Sequence, residues 1–216
     1  KVRERLEVAR TSEEVSTSGP EAARRWQEVI ASIADPAASP AHQGLSIRPQ
    51  IGLLPLRQDP ASGPWEFAHL LSGKAPSVGP SGEPAIDETS GIVLVLIPGA
   101  TFLMGAQRED PDGPNYDPGA HEVSYPPHAI VLDPYFLAEH ETTQAEWMRL
   151  AGSNPSRFRL GTRSPMRTVT ALDPVENVSW TDAALALSRA GLALPTEAQW
   201  EKAARNGTDT PWWTGD

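Results

Sequence analysis

The stretch LALPTEAQWEKAARNG, residues 192–207, decides how this chain is read. Thr196 followed by Gln199 forms a capping box. The threonine hydroxyl accepts from the Gln199 amide and the glutamine side chain reaches back to the Thr196 amide. Pro195 sets an extended entry, Trp200, Ala203 and Ala204 fall on one stripe, and Gly207 supplies a stop. These signals predict a helix over 197–205 with Thr196 as N-cap and Trp200 facing the core. Glu197, Glu201 and Arg205 recur four residues apart, which predicts an exposed salt-bridge ladder on another face. An aromatic turn, Pro211-Trp212-Trp213, follows.

The helix is embedded in a turn-rich chain. Twenty-two Pro and seventeen Gly in 216 residues exclude a long-helix bundle and point to an irregular α+β or all-β domain. Trp is used seven times against four Phe and three Tyr, a composition that builds a core from a few large rings. A net charge of −10 argues against nucleic acid or an anionic membrane as the main partner. The absence of cysteine excludes disulfides, thiolate metal sites and a cysteine nucleophile within these residues.

Further upstream, Ser179 with Asp182 predicts a capped helix from Trp180, with Gly191 beyond its end. Thr142 or Thr143 caps a helix that buries Trp147, Met148 and Ala151 and stops at Gly152. The run Ile92–Ile97 is continuously apolar and β-branched, a strand covered on both faces. Pro98-Gly99 fits a type II turn, so 92–97 and 101–104 are expected to pair as a hairpin. Short strands are expected at 65–71, 129–132 and 135–138. Near the start, Trp26, Val29, Ile30 and Ile33 fall on one helical face, and Pro20 opens that helix after a break at 16–20.

Set out in order, these elements resemble the formylglycine-generating enzyme, or sulfatase-modifying factor, family. Its F-x-M-G element matches Phe102, Leu103, Met104 and Gly105. Its P-x-H-x-V-x-L strand resembles Pro127–Leu132, and Tyr135-Phe136-Leu137 follows as its next strand. The helix opening Glu141-Thr142-Thr143-Gln144, the element from Pro174-Val175 through Ser179-Trp180-Thr181-Asp182-Ala183, and Leu194–Gly207 with Pro211-Trp212 complete the series.

The resemblance implies an irregular, C-type-lectin-like α+β fold, of which 91–216 is the N-terminal half. Residues 45–90 are then a turn-rich lead-in, and 1–44 a helical spacer and linker. The lead-in resembles that of bacterial fusions to a Ser/Thr protein kinase. That implies an upstream kinase domain in the same polypeptide, a cytoplasmic location, a true N-terminus before Lys1 and a protein or peptide ligand.

The family's oxidases hold copper on a cysteine pair in the second half of the domain, so copper is not expected on this chain and no catalytic residue carries over. The candidate metal site is the acidic loop, where Asp110, Asp112, Asn115 and Asp117 set oxygen ligands around Gly113 as a calcium loop does. Asx-turns explain the same residues. The five histidines, at 42, 69, 121, 128 and 140, have no metal-motif spacing and read as structural or exposed. Trp180, Trp200, Trp212 and Trp213 are candidates to line a groove, but Trp180 and Trp200 read as core anchors and Trp212-Trp213 as a pair buried only against the second half of the domain. The expected function is a recognition or regulatory module of a larger, kinase-linked protein; the alternatives are a formylglycine-generating oxidase and a non-haem iron sulfoxide synthase-like enzyme.

Overall fold

A computed structural model describes residues 11–60, 63–80, 82–163 and 168–210. The fold is α+β. After a π-helical turn, Glu14–Ser18, helix α1 spans Pro20–Ala34. Strands β1 (Leu53–Gln58), β2 (Trp65–His69), β3 (Ser77–Val78), β4 (Pro84–Ala85), β5 (Val93–Ile97), β6 (Ala100–Met104), β7 (His128–Leu132) and β8 (Tyr135–Ala138) follow. Helices α2 (Gln144–Ala151), α3 (Trp180–Ser188) and α4 (Glu197–Arg205) follow, and short 3-10 turns lie at Pro40–His42 and Glu122–Ser124. The chain divides into two compact units. The first takes residues up to Leu96 and Phe136–Leu194, and the second Ile97–Tyr135 and residues from Pro195 onward. Residues 91–216 therefore contribute to both.

The first unit is built on a four-stranded sheet in the order β1-β2-β5-β8. β5 is central, with β2 antiparallel on one side, which is why its sequence is apolar at every position. The core joins Trp26, Val29 and Ile33 of α1 to Phe67, Ile92, Leu94, Leu96, Trp147 and Leu150. Phe67 is fully buried, with its ring centroid 5.6 Å from Trp26 and 5.1 Å, edge-on, from Phe136. The buried Trp26 indole also donates 2.7 Å to the Ser16 carbonyl, and Ser16 Oγ accepts from the Gly52 amide at 3.0 Å. Helix α1 is thus fastened into this core by polar as well as apolar contacts. Its Ile30 packs on the margin of the cluster.

Two backbone segments cross tightly in this unit. A Cβ at Gly73 would meet Gly91 N at 2.6 Å, and one at Gly91 would meet His69 O at 2.5 Å. Only glycine permits such an approach. Arg149 on α2 ties the crossing by donating to the carbonyls of Ser72, at 2.7 Å, and of Glu88 and Ser90.

The expected hairpin between 92–97 and 101–104 does not form. β5 sits between β2 and β8, so both of its hydrogen-bonding edges are taken, and β6 pairs with β7 from Ala100↔Leu132 to Met104↔His128. Gly99 is not at positive φ, so the type II turn is also replaced. Its missing side chain serves a close approach instead, since a Cβ there would meet Leu132 O and Pro134 Cδ at 2.8 Å.

The capped helices form where expected. Thr143 and Thr196 each close a full capping box, Ser179 caps α3 by accepting from the Asp182 amide, and Gly152 ends α2 at φ +83°. Met148 is exposed on α2, whose buried side carries Gln144, Trp147 and Leu150.

Candidate functional site

The second unit has little apolar interior. Among its described residues, Ala120 is the one buried apolar side chain. Among these residues fully buried apolar side chains supply little of the cohesion, and polar contacts contribute much of it. They converge on Gly105, the last residue of the Phe102-Leu103-Met104-Gly105 element. Glu201 Oε1 on α4 accepts from the Gly105 amide at 2.8 Å. The same oxygen accepts from Arg205 Nε at 2.8 Å, and Arg205 Nη2 donates to the Gly105 carbonyl at 2.8 Å. Asn115 Nδ2 completes the knot, donating to the carbonyls of Leu103 at 2.7 Å and Gly105 at 2.8 Å.

An ion pair one helical turn apart thus reads both backbone groups of a single glycine. Glu201 and Arg205 expose only 20% and 17% of their side chains, which excludes the expected solvent-exposed ladder. Gly105 lies at φ +92°, and a Cβ there would meet Ser124 O at 2.6 Å, so the position demands glycine twice over.

The two expected core tryptophans are not buried. Trp200 is 63% exposed and Trp180 is 75% exposed. On α4 the inward positions are taken by the Glu201–Arg205 pair, because the interior they meet is polar backbone. On α3 the buried residue is Ala186, with Ala183 and Leu187 packed beside it, and Trp180, at the first position of the helix, is left in solvent. Trp212 and Trp213 lie outside the described residues.

The acidic loop does not gather its carboxylates. Asp110 Oδ1 accepts from the Asp112 amide at 3.1 Å and Asp117 Oδ1 from the Gly119 amide at 2.8 Å, both Asx-turns. Asn115 is buried and donates its side-chain amide hydrogens to the knot. Among the described residues, no three His, Asp or Glu side chains come together in a way that could hold a metal. The family's copper needs soft ligands, and with no cysteine in the chain the residues present do not fit it.

His42 and His69 are buried, and burial pushes both rings below the usual histidine range. His42 Nε2 lies 3.3 Å from the Leu96 carbonyl, and the Nδ1 atoms of both rings have no hydrogen-bond partner among the described residues. His121, His128 and His140 are exposed. In the first unit Arg57 grips the buried Glu66 through two hydrogen bonds of 3.0 and 3.1 Å. Burial, together with the Glu66 charge, pushes Glu139 above the ordinary carboxylate range. No helix among the described residues is long and apolar enough to cross a membrane.

Sequence reasoning found the residues of the Gly105 knot but not their roles. The signal was present in the spacing, since Glu201 and Arg205 lie four positions apart on one helix face. Their face could not be identified as inward, because an inward face was expected to be apolar.

Comparison with known proteins agrees with this architecture. The family model described as "Sulfatase-modifying factor enzyme 1-like domain" matches residues 81–216. The formylglycine-generating enzyme of Thermomonospora curvata is 55% identical over 159 residues, covering 55% of this chain and 52% of that protein. The inactive C-alpha-formylglycine-generating enzyme 2 of Mus musculus is 31% identical over 149 residues, covering 53% and 47%. The serine/threonine-protein kinase pkn1 of Chlamydia caviae is 29% identical over 130 residues, covering 53% of this chain and 19% of the kinase. The chain spans about half, or less, of the length of the curated relatives it matches.

Proposed function

The chain belongs to the sulfatase-modifying factor family, and from that premise we propose that it serves a larger, kinase-linked protein as a recognition or regulatory module. The observation that carries this reading is the use made of the family-motif side chains Glu201 and Arg205, with Asn115 beside them. Glu201, Arg205 and Asn115 direct their polar groups to the backbone of residues 103–105. The motif therefore holds a loop in place and presents no reacting group. Function lives in the site rather than the fold, so family membership alone does not make the chain a catalyst. Two relatives support the reading: one is described as inactive, and another is a protein kinase. The ligand in this reading is a protein or peptide.

A second reading is favoured by the 55% identity to the Thermomonospora curvata enzyme. In it the parent protein converts a cysteine of a client protein to formylglycine, with residues beyond this chain supplying the thiols. One experiment separates the two. The natural full-length protein is incubated with copper, oxygen and a cysteine-bearing peptide, and any aldehyde is captured with a hydrazide probe. The regulatory reading expects no captured product. A copper-dependent aldehyde on the peptide replaces it with the second.

A further inference from the structure

Lys202 follows Glu201 on α4 and lines a cavity of about 330 Å³ within the second unit. Phe102, Leu103 and Pro114 give this cavity apolar wall, while Thr101 and Asp209 contribute polar groups. A volume of this order lies at the small end of the range for small-molecule sites. Lysine is scarce in this chain: the others are Lys1 and Lys74, against fifteen arginines. Arg205, the second cation in the wall, is already neutralised by Glu201. The Lys202 ammonium makes no hydrogen bond or ion pair among the described residues. Burial pushes its pKa below the ordinary lysine range. A cation partly withdrawn from water without a hydrogen-bonding partner is costly, and a bound anion offsets that cost.

We propose that this cavity binds a small organic monocarboxylate, with the carboxylate on Lys202 Nζ and the apolar body against Phe102, Leu103 and Pro114. Thr101 Oγ1 can donate a second hydrogen bond to the same group. The choice of a monoanion follows from Asp209, which lines the same cavity and whose negative charge disfavours a ligand carrying two charges. Inorganic phosphate is therefore a poor occupant. The apolar wall in turn favours benzoate over acetate, because it has ring surface to bury. This inference rests on the second unit's geometry alone and does not depend on the proposed module function.

With only three lysines, the chain allows a clean test. The intact protein is treated with trinitrobenzenesulfonate near neutral pH, and modification at each lysine is followed by peptide mass spectrometry. Lys202 is expected to react several-fold faster than the exposed Lys74, since only the neutral amine is nucleophilic. Benzoate is expected to slow Lys202 several-fold and leave Lys74 unchanged, and phosphate at equal ionic strength to slow neither lysine. Line broadening of benzoate in proton NMR is expected with the wild type and Lys202→Arg, and to vanish with Lys202→Gln, whose fold is checked by circular dichroism. The proposal is overturned if Lys202 reacts no faster than Lys74. It is equally overturned if phosphate protects as well as benzoate does, or if a folded Lys202→Gln protein still binds benzoate.

Discussion

The Glu201 carboxylate accepts a hydrogen bond from the Gly105 amide at 2.8 Å, joining residues 96 positions apart in sequence. Around it, Arg205 bonds both to Glu201 and to the Gly105 carbonyl, so neither charge is left alone. The knot takes the place of an apolar core in a unit whose buried apolar content is a single alanine among the described residues.

The relative cost of two neighbouring substitutions follows. Glu201→Ala removes two hydrogen bonds to a carboxylate and strands the part-buried Arg205 charge, so it should cost about 2–3 kcal/mol. Trp200→Ala, on a ring that is 63% exposed, should cost within about 1 kcal/mol. Denaturant unfolding of both variants of this chain checks the order. A larger loss for Trp200→Ala would mean that the inward face of α4 has been misassigned.

Gly105→Ala should be the most damaging small substitution in the second unit. Positive φ alone costs about 1–3 kcal/mol for a residue with a side chain. The new Cβ would also press on Ser124 O at 2.6 Å, a backbone atom that cannot rotate away. Gly63→Ala is the matched control, because its φ is +90° with nothing within 4 Å of the added Cβ. Thermal unfolding should show a clearly larger loss at 105. Equal losses would leave strain, and not contact, as the whole effect.

A fragment limited to the family-matched residues 81–216 should fail to fold cooperatively. It lacks β2, the antiparallel neighbour of β5, and removes Trp26, Val29, Ile33, Leu53 and Phe67 from one core. Within the whole chain, Trp26→Ala should cost about 3–5 kcal/mol through the cavity it leaves. Circular dichroism and urea unfolding of the fragment test the point. A sharp urea transition from 81–216 would show that α1 and the lead-in strands are accessory.

Stability should fall on mild acidification. Burial lowers the folded-state pKa of His42 and His69 below the ordinary 6.5. As pH drops through about 6.5 the unfolded chain takes up protons that the folded chain refuses. The histidine contribution is therefore complete above that pH and is lost progressively toward the lower folded value. Glu139, with its folded pKa raised, acts in the opposite sense nearer the carboxylate range. The urea midpoint should be lower at about pH 5.5 than at about pH 7.5. His42→Gln with His69→Gln should flatten that slope, and an unchanged slope would assign the pH dependence elsewhere.

What the sequence determined by itself was local. Capping boxes at Thr143 and Thr196, Pro20 opening α1 and Gly152 at positive φ closing α2 are set by residues within a few positions of one another, and each formed where its chemistry put it. The run at 92–97 was likewise legible as a strand covered on both faces. Its partners were not, because pairing depends on which edges are free. Adjacency made 101–104 the natural partner, yet β2 and β8 fill both edges of β5 and send β6 to β7. The faces of α4 were decided the same way. Periodicity places Trp200 and Glu201 on different sides of a helix but cannot say which side meets the interior. Where the neighbour is an apolar sheet the tryptophan would turn in. Here the neighbour is the Gly105 backbone, whose amide and carbonyl need partners once buried, and the carboxylate of Glu201 and the guanidinium of Arg205 turn in instead.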